Sequence, residues 1–319
     1  MKNATKLICL LALTASFVHA EDISAERKKA GRDGAKAKLT FRVTDSLGNP
    51  VANADVRTGF FIMSGGGGEF LGRTDTNGMC AVEGICSGDA LNQFTKDGYY
   101  PTSYRHWFSI IDGKPAEVKD GQWQPWNPTV EITLKEKRNP IPMYVKRGEI
   151  ILPKTNETFG FDCQIGDLVA PHGTGKTTDM TFTYRFKTPS TEDKEQEYFA
   201  QFIAECTNKY EGMTLMKFDS WSNFSSAYEA PLEEYESQFE AFRRFTPKAE
   251  IAKKTLSQDE YLIFRSRVTT NEHGQITSAH YGKIYSLGCW GTSKKPDGGA
   301  VSIYYFFNTT PNDRNLESK

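Results

Sequence analysis

Short segments in which apolar and polar residues alternate recur along the chain from residue 38 onward. In LTFRV (39–43) and TVEITL (129–134), every second side chain is apolar, as in a strand that buries one face. Turn-forming residues such as those of GNP (48–50) and DTNG (75–78) separate these segments. This pattern is typical of an antiparallel β sandwich.

The second half of the chain shows the same alternation, with one exception. Strands are predicted at 149–152, 180–186, 198–206, 213–218, 261–268 and 301–307. In the segment 231–245, apolar residues recur instead at the spacing of one helix face, and Pro231 suits a first helical turn. These apolar residues are Leu232, Tyr235, Phe239 and Phe242. We therefore predict an all-β fold with a single surface helix in the second half.

Composition narrows the class of protein. Hydrophobic residues make up 38% of the 319 residues and aromatic residues 13%, while the mean hydropathy is −0.55. These values exclude a wholly disordered chain and a helical membrane protein, and the length suggests two domains. The 39 basic and 40 acidic residues nearly cancel and form no basic stripe, so we expect no nucleic-acid partner.

The two prolines of NPIPM (139–143) favour extended chain, and we predict domains at 38–138 and 139–319.

The first 20 residues have the pattern of a signal peptide. Two lysines precede an apolar run (7–17), and Val18 and Ala20 occupy the −3 and −1 positions of a cleavage site. Because this run is too short to span a bilayer, we predict cleavage after Ala20, a secreted or periplasmic protein and no membrane span after cleavage. Residues 21–37 are charged and almost without apolar side chains, which predicts a flexible leader.

Four segments of the first half share their order and spacing with a known domain family. They are GNPVANADV (48–56), FLGRTDTNGMCAV (70–82), KDGYY (96–100) and the closing TVEITL. Together, residues 38–136 resemble the carboxypeptidase-regulatory-like family of transthyretin-like β sandwiches. The resemblance implies a non-catalytic module of the kind appended to enzymes, adhesins and outer-membrane receptors. An insertion between Tyr104 and Pro128 departs from the shorter members, so the role of its tryptophans does not follow from the resemblance.

The second half carries a less specific resemblance. Segments 166–176, 281–288 and 304–317 are similar to exported bacterial proteins of unassigned function in which such a domain follows a carboxypeptidase-regulatory-like one. That similarity implies no mechanism.

Export changes what the cysteines are expected to do, because thiols tend to pair outside the cytosol. Five cysteines remain after cleavage, namely Cys80, Cys86, Cys163, Cys206 and Cys289. Cys80 and Cys86 are the candidate disulfide; they would lie about 20 Å apart on a straight strand, but Gly84 between them could bend the chain. The cysteines show no C-x-x-C spacing and only four histidines remain, so we expect no metal ion and no cofactor.

Two glycine-containing motifs could carry chemistry. APHGTGKT (170–177) fits a loose form of the phosphate-binding loop, but a strand pattern follows it where that loop needs a helix. We predict a glycine-rich hairpin loop there. GICSG (84–88) has the spacing of a nucleophile elbow with Cys86 in the centre, but it falls within the sandwich pattern rather than at a strand-to-helix turn.

An aromatic loop gives the best candidate for binding. Trp123 and Trp126, with Trp107 nearby in sequence, are candidate ligand contacts because flat rings stack on the apolar faces of sugars. The alternative is that they pack in a core or between domains. Trp221 and Trp290 are interpreted as core residues. With the signal peptide, this loop favours a non-catalytic binding or scaffold protein that recognises a glycan or a partner protein at the cell envelope.

Two other functions stay open at this point. One is a hydrolase in the second domain with Asp162 or Asp167 near His172, because that domain is large and its loops are polar. The other is a structural adhesin unit without a soluble ligand. No set of residues has the spacing of a catalytic centre, so none is assigned.

Overall fold

The computed structural model describes residues 24–187, 198–246, 249–292 and 295–319, so the predicted signal peptide lies outside the described residues. The described part contains 22 strands and one helix, which confirms the all-β fold. The described part of the chain has no helix that is long and apolar enough to cross a lipid bilayer. Up to residue 138 the elements are α1 (Ala25–Asp33), β1 (Ala35–Thr44), β2 (Asp55–Phe61), β3 (Gly67–Arg73), β4 (Met79–Cys86), β5 (Asp89–Thr95), β6 (Thr102–Trp107), β7 (Ile110–Ile111), β8 (Lys114–Pro115), β9 (Val118–Lys119), β10 (Gln122–Trp123) and β11 (Thr129–Thr133).

Beyond residue 138 all described elements are strands. They are β12 (Tyr144–Leu152), β13 (Thr158–Asp162), β14 (Asp167–Leu168), β15 (Met180–Lys187), β16 (Tyr198–Glu205), β17 (Gly212–Lys217), β18 (Gln238–Thr246), β19 (Ala249–Lys254), β20 (Glu260–Thr270), β21 (Ile276–Thr292) and β22 (Lys295–Asn308).

The strands before residue 138 form two main sheets. In one, β1 pairs antiparallel with β4 on one side and parallel with β10 and β11 on the other, and β9 pairs with β10. In the other, the order is β3-β2-β5-β6 and all pairs are antiparallel. Every second side chain of β1 and β2 is buried between the sheets. Phe41 and Phe94 meet edge-on there, with ring centroids 4.9 Å apart, so this half is the expected β sandwich.

The second half is also built from two antiparallel sheets. Their orders are β12-β22-β21-β20-β17 and β14-β13-β15-β16-β18-β19. Buried rings fill the space between them, including Phe161, Phe182, Phe202, Phe264 and Tyr305. Each sheet of the protein takes all of its strands from one side of residue 138, while the division into two independent domains stays a prediction.

Residues 25–37 are not the predicted flexible leader. The Ser24 side chain accepts a hydrogen bond from the Arg27 N–H at 3.2 Å and caps α1, and Ala30 of that helix is buried. Ala35 then begins β1 opposite Cys86 of β4. The prediction was wrong because it rested on the lack of large apolar residues. This segment packs into the core through three small residues, Ala30, Ala35 and Ala37.

The surface helix predicted at 231–245 is also wrong. Residues 238–246 form β18, which pairs with β16 on one side and β19 on the other. Phe239 and Ala241 point into the core, two positions apart as a strand requires, while Leu232 is 65% exposed. The helical spacing of the apolar residues was a coincidence of sequence, and pairing with two neighbouring strands decided the local structure.

The structure does not bring Cys80 and Cys86 together. They lie near opposite ends of β4, which continues straight through Gly84, paired with Ala37 of β1. A Cβ at Gly84 would lie 2.4 Å from the ring of Phe60. Gly84 therefore serves close packing between the sheets rather than a bend, and both thiols are free and buried.

Candidate ligand-binding site

Trp123, a predicted ligand contact, is a core residue. Its side chain is 1% exposed and belongs to the core cluster of the first sandwich. Its indole Nε1–H donates to the carbonyl of Cys86 at 2.9 Å. A buried indole whose N–H is already satisfied has no surface left for a ligand, so this assignment is corrected.

Trp126 and Trp107 do not share a surface with one another. Trp126 is half-buried after β10, with the Lys38 ammonium 6.0 Å from its ring. Trp107 ends β6 in the opposite sheet, where it is 48% exposed. The Arg105 guanidinium covers the Trp107 ring at 4.2 Å. The three tryptophans that are close in sequence therefore form no common binding platform.

Trp221, interpreted above as a core residue, is instead one of the most exposed rings of the protein, at 69%. Its loop is fixed along the edge of β6, because the Ser103 N–H donates to the Trp221 carbonyl at 3.3 Å and the Asn223 N–H to the Pro101 carbonyl at 2.9 Å. The ring of Tyr104 meets the Trp221 ring edge-on at 6.1 Å. An exposed tryptophan on an anchored loop is preorganised to contact a ligand.

The Trp221 groove, as we call it, runs between the two halves of the molecule and has a volume of about 720 Å³. One wall is β11 of the first half, and the other is the loop that carries Trp221 together with the segment before β20. Hydroxyl, carboxylate and amide groups surround two aromatic rings in it. Its lining residues are Glu131, Thr133, Phe218, Asp219, Ser220, Trp221, Ser222, Ser225, Gln258 and Asp259.

A buried lysine holds this loop from beneath. The side chain of Lys135 is 2% exposed, and its ammonium donates to the Asp219 carboxylate and to the Ser226 carbonyl, both at 2.6 Å. The rings of Phe224 and Tyr228 lie 4.8 and 4.7 Å from the same ammonium. Burial lowers the pKa of Lys135, and the contact with Asp219 opposes that shift. The pair fixes the Asp219 side of the groove to the first half.

A second lysine is buried behind the first. Lys283 is fully buried and donates to the Ser226 hydroxyl at 3.1 Å, between the rings of Phe224 and Phe306 at 4.6 and 4.8 Å. Burial and, to a smaller extent, the nearby charge of Lys135 lower its pKa to about 7. Both lysines thus contact Ser226 and Phe224, which lie between the two halves.

The C-terminal segment ties the halves together at a second place. The Glu317 carboxylate accepts from the Arg138 and Asn139 backbone N–H groups at 2.8 and 2.6 Å. The hydroxyl of Tyr100 donates to it at 3.0 Å. These hydrogen bonds hold the C-terminal segment against the connection between the two halves. The two halves are therefore linked at two places, by Lys135 next to the groove and by Glu317.

The acids considered for a hydrolase are occupied in holding a loop. Asp162 accepts from four backbone N–H groups at 2.9–3.1 Å and from Arg267 at 2.9 Å. Burial alone would raise the pKa of Asp162, but these hydrogen bonds lower it overall. Asp167 accepts from Thr174 and from its neighbour's N–H, while the ring of His172 packs edge-on against Phe159 at 4.9 Å. Within the described residues the structure records no hydrogen bond from His172 to either acid, and the three do not form a catalytic set.

The remaining motifs are structural in the same way. The loop at 170–177 connects two strands, β14 and β15, and not a strand to a helix. These strands lie on either side of β13 and do not pair with each other, so the predicted hairpin is wrong. Cys86 of the elbow-like motif is buried, and burial raises the pKa of its thiol to about 11. Within the described ranges, no three His, Cys, Asp or Glu side chains are grouped as a metal site needs.

Comparison with known proteins gives fold-level likeness at most. No family model matches this sequence, and no curated protein does. The chain is similar to a 3-chlorocatechol 1,2-dioxygenase from Rhodococcus opacus, with 12% identity and a TM-score of 0.27 over 33% of this chain and 62% of that one. It is also similar to a DUF3823 family protein from Parabacteroides merdae (10% identity, TM-score 0.21, 86% of this chain and 100% of that one) and to BcpA, the major pilin subunit of Bacillus cereus (13%, 0.24, 89% and 100%).

The chain spans less than two thirds of that dioxygenase, and likenesses at these TM-scores carry no argument about function. The β-sandwich fold of the first half rests on its own sheets, while its resemblance to carboxypeptidase-regulatory-like domains stays a prediction.

Proposed function

We propose that this protein is an exported, non-catalytic glycan-binding protein of the cell envelope and that the glycan lies in the Trp221 groove. The observation that carries the proposal is a 69% exposed tryptophan on a loop fixed by backbone hydrogen bonds. Around this ring the groove offers hydroxyl and carboxylate groups from both halves of the molecule. The location follows from the predicted signal peptide and is part of the proposal.

The chemistry of the groove suits a sugar better than an apolar ligand. One face of a pyranose ring presents C–H groups that stack on an indole, while its hydroxyls need donors and acceptors at the edges. Trp221 supplies the stacking surface, and Gln258, Asp259 and Glu131 supply polar groups around it. The volume of about 720 Å³ lies in the range of small-ligand pockets and fits a short stretch of a glycan chain.

The test is binding of residues 21–319 to a panel of soluble polysaccharides by affinity electrophoresis, followed by calorimetry on any positive. We expect Trp221→Ala to weaken binding about tenfold or more, because it removes the central aromatic contact. Trp107→Ala and Trp290→Ala are matched controls, since those rings are exposed by 48% and 45% but lie outside the groove. Binding that survives Trp221→Ala at full strength would remove this site. Absence of any glycan ligand would favour a protein partner.

A further inference from the structure

β12 forms an open edge of the second sandwich. It is the last strand of its sheet, and among the described strands only β22 pairs with it. Along 144–148, the N–H and C=O groups that point away from β22 make no backbone hydrogen bond to another described segment. β12 is 9 residues long, and a long open edge is a template for pairing with a further strand.

The opposite edge of the same sheet is covered by the chain itself. There, the segment before β18 lies along β17, and the N–H groups of Met213 and Glu236 donate to each other's carbonyls at 2.8 and 2.9 Å. The Thr214 hydroxyl donates to the Glu234 carbonyl of the same segment. Within the described residues, the sheet therefore has one closed edge and one open edge.

The outer face of β12 has a symmetric pattern. Ile150 and Leu152 belong to the core, so the alternate side chains point away from it. These outer side chains are Val145, Arg147, Glu149 and Ile151. The Arg147 guanidinium lies 5.3 Å from the ring centroid of Tyr304 on β22. On either side of Gly148, this face presents first a charged residue and then an apolar one, and the two charges are opposite.

Two copies of β12 that pair antiparallel about Gly148 match every residue of this face. Arg147 lies opposite Glu149 of the second copy, and the two-fold axis repeats this pair. Val145, which is 49% exposed, lies opposite Ile151 of the second copy. An axis at Arg147 or at Glu149 would instead place two like charges opposite each other. Cross-strand pairs of opposite charge or of apolar residues stabilise a sheet and like charges destabilise it, so the face favours the register about Gly148.

Glu149 also takes part in an interaction within its own chain. A carboxylate has two oxygens with about four acceptor positions, so it can serve a second donor in addition to its present partner. A guanidinium has five N–H donors in a planar fork that matches a carboxylate. The Arg147–Glu149 pair between copies therefore adds to the existing interaction and does not have to replace it.

We propose that this protein forms a two-fold dimer in which β12 pairs antiparallel with β12 of a second copy, with Gly148 at the axis. The two sheets that contain β12 then become one continuous sheet across the axis. Main-chain hydrogen bonds along the two edges supply the association, and the charge pairs on both sides of Gly148 set its register. A second copy is the fitting partner because the edge is complementary to itself.

Sedimentation of residues 21–319 over a range of concentrations tests this inference. We expect a monomer–dimer equilibrium in which the dimer dominates at about 100 μM, as for a Kd in the micromolar range. Arg147→Glu is expected to weaken association about tenfold, because it places like charges opposite each other on both sides of the axis. Glu149→Arg is expected to have the same effect. The double variant with both changes restores opposite charges and is expected to recover most of the association.

Arg57→Glu is the matched control, because it makes the same change of charge at an exposed residue of β2 in the other half. It is expected to leave association unchanged. Hydrogen exchange locates the contact, since amides within 144–148 are expected to exchange more slowly at high protein concentration. The unfolding midpoint of each variant checks that it folds.

Three results would overturn the inference. They are a protein that stays monomeric at the highest concentration, a dimer that Arg147→Glu leaves unchanged, and a folded double variant that recovers no association. A dimer without added protection at 144–148 would place the contact on another surface and would equally exclude the β12 edge. None of these results bears on glycan binding in the Trp221 groove.

Discussion

Two loops of this protein carry a tryptophan and place its ring in opposite environments. In the loop at 123–126, Trp123 turns into the core of the first sandwich and its N–H is satisfied by the Cys86 carbonyl. In the loop at 219–226, Trp221 points to solvent while Lys135 holds the loop from below. The loop of Trp123 is held by burial of the indole itself, so the ring is not available at the surface. The loop of Trp221 is held by Lys135 and by backbone hydrogen bonds, so its ring can stay exposed. The exposure of each tryptophan thus depends on what anchors its loop.

The largest effect is expected from Trp123→Ala. Removing a fully buried indole should lower the free energy of unfolding by about 4 kcal/mol, because it loses apolar burial and leaves a cavity. Urea unfolding measures it. Trp126→Ala, in the same loop but half-buried, is the control and is expected to cost clearly less. A loss below about 1 kcal/mol for Trp123→Ala would return this residue to the candidate ligand contacts.

Loss of the buried charge should come next. Lys135→Ala leaves the Ser226 carbonyl without its donor and opens a cavity between the halves, so we expect a loss of about 2–4 kcal/mol. The control is Lys217→Ala, whose ammonium lies 3.9 Å from the Asp259 carboxylate in an exposed pair. That change is expected to cost no more than about 0.5 kcal/mol. Equal effects of the two substitutions in urea unfolding would show that Lys135 does not anchor the loop.

Lys283, which lies between the two halves, should make the free energy of unfolding depend on pH. Its pKa of about 7 in the folded protein lies below the ordinary value of 10.5, so unfolding takes up a proton between these values. Stability should therefore fall as pH falls from 10.5 toward 7, by up to about 1.4 kcal/mol per pH unit, and level off below 7. Lys283→Met removes this contribution, and the difference between the two stability profiles isolates it from other titrations. Parallel profiles would contradict the assignment.

The smallest effect on stability is expected at Trp221. Trp221→Ala should change the free energy of unfolding by no more than about 0.5 kcal/mol, because the ring is largely in solvent and its loop is held by backbone hydrogen bonds. Its effect should appear instead in glycan binding. Measuring both quantities for Trp123→Ala and Trp221→Ala tests the comparison directly. A large loss of stability from Trp221→Ala would mean that the ring supports the loop rather than a ligand.

The elements of this fold followed from sequence wherever alternation was strong. The strand predicted in LTFRV lies within β1, and the one predicted in TVEITL matches β11 except for Leu134. Those at 149–152 and 261–268 lie within β12 and β20. Prediction failed where the buried residues were small, and where the spacing of the apolar residues fitted both a helix face and a strand. The alanines around Ala30 gave no apolar signal, and the segment containing Phe239 fits both a helix face and a strand.

The candidate site was much harder to predict. Trp221 is flanked by Ser220 and Ser222, and polar neighbours of this kind were a usable signal of an exposed ring. Its groove, however, combines side chains such as Glu131 and Asp259 that are far apart in the sequence. Spacing along the chain carries no information about which distant loops meet.

The sequence by itself determined the all-β class, most of the strands and the near balance of charges, because alternation and composition act locally along the chain. Only the tertiary structure decided which tryptophan is buried, that Cys80 and Cys86 stay apart, and that Lys135 lies beneath the Trp221 loop. Each of these depends on contacts between residues separated by other strands. Burial and hydrogen bonding across such contacts are set when the sheets pack, and no local pattern contains them.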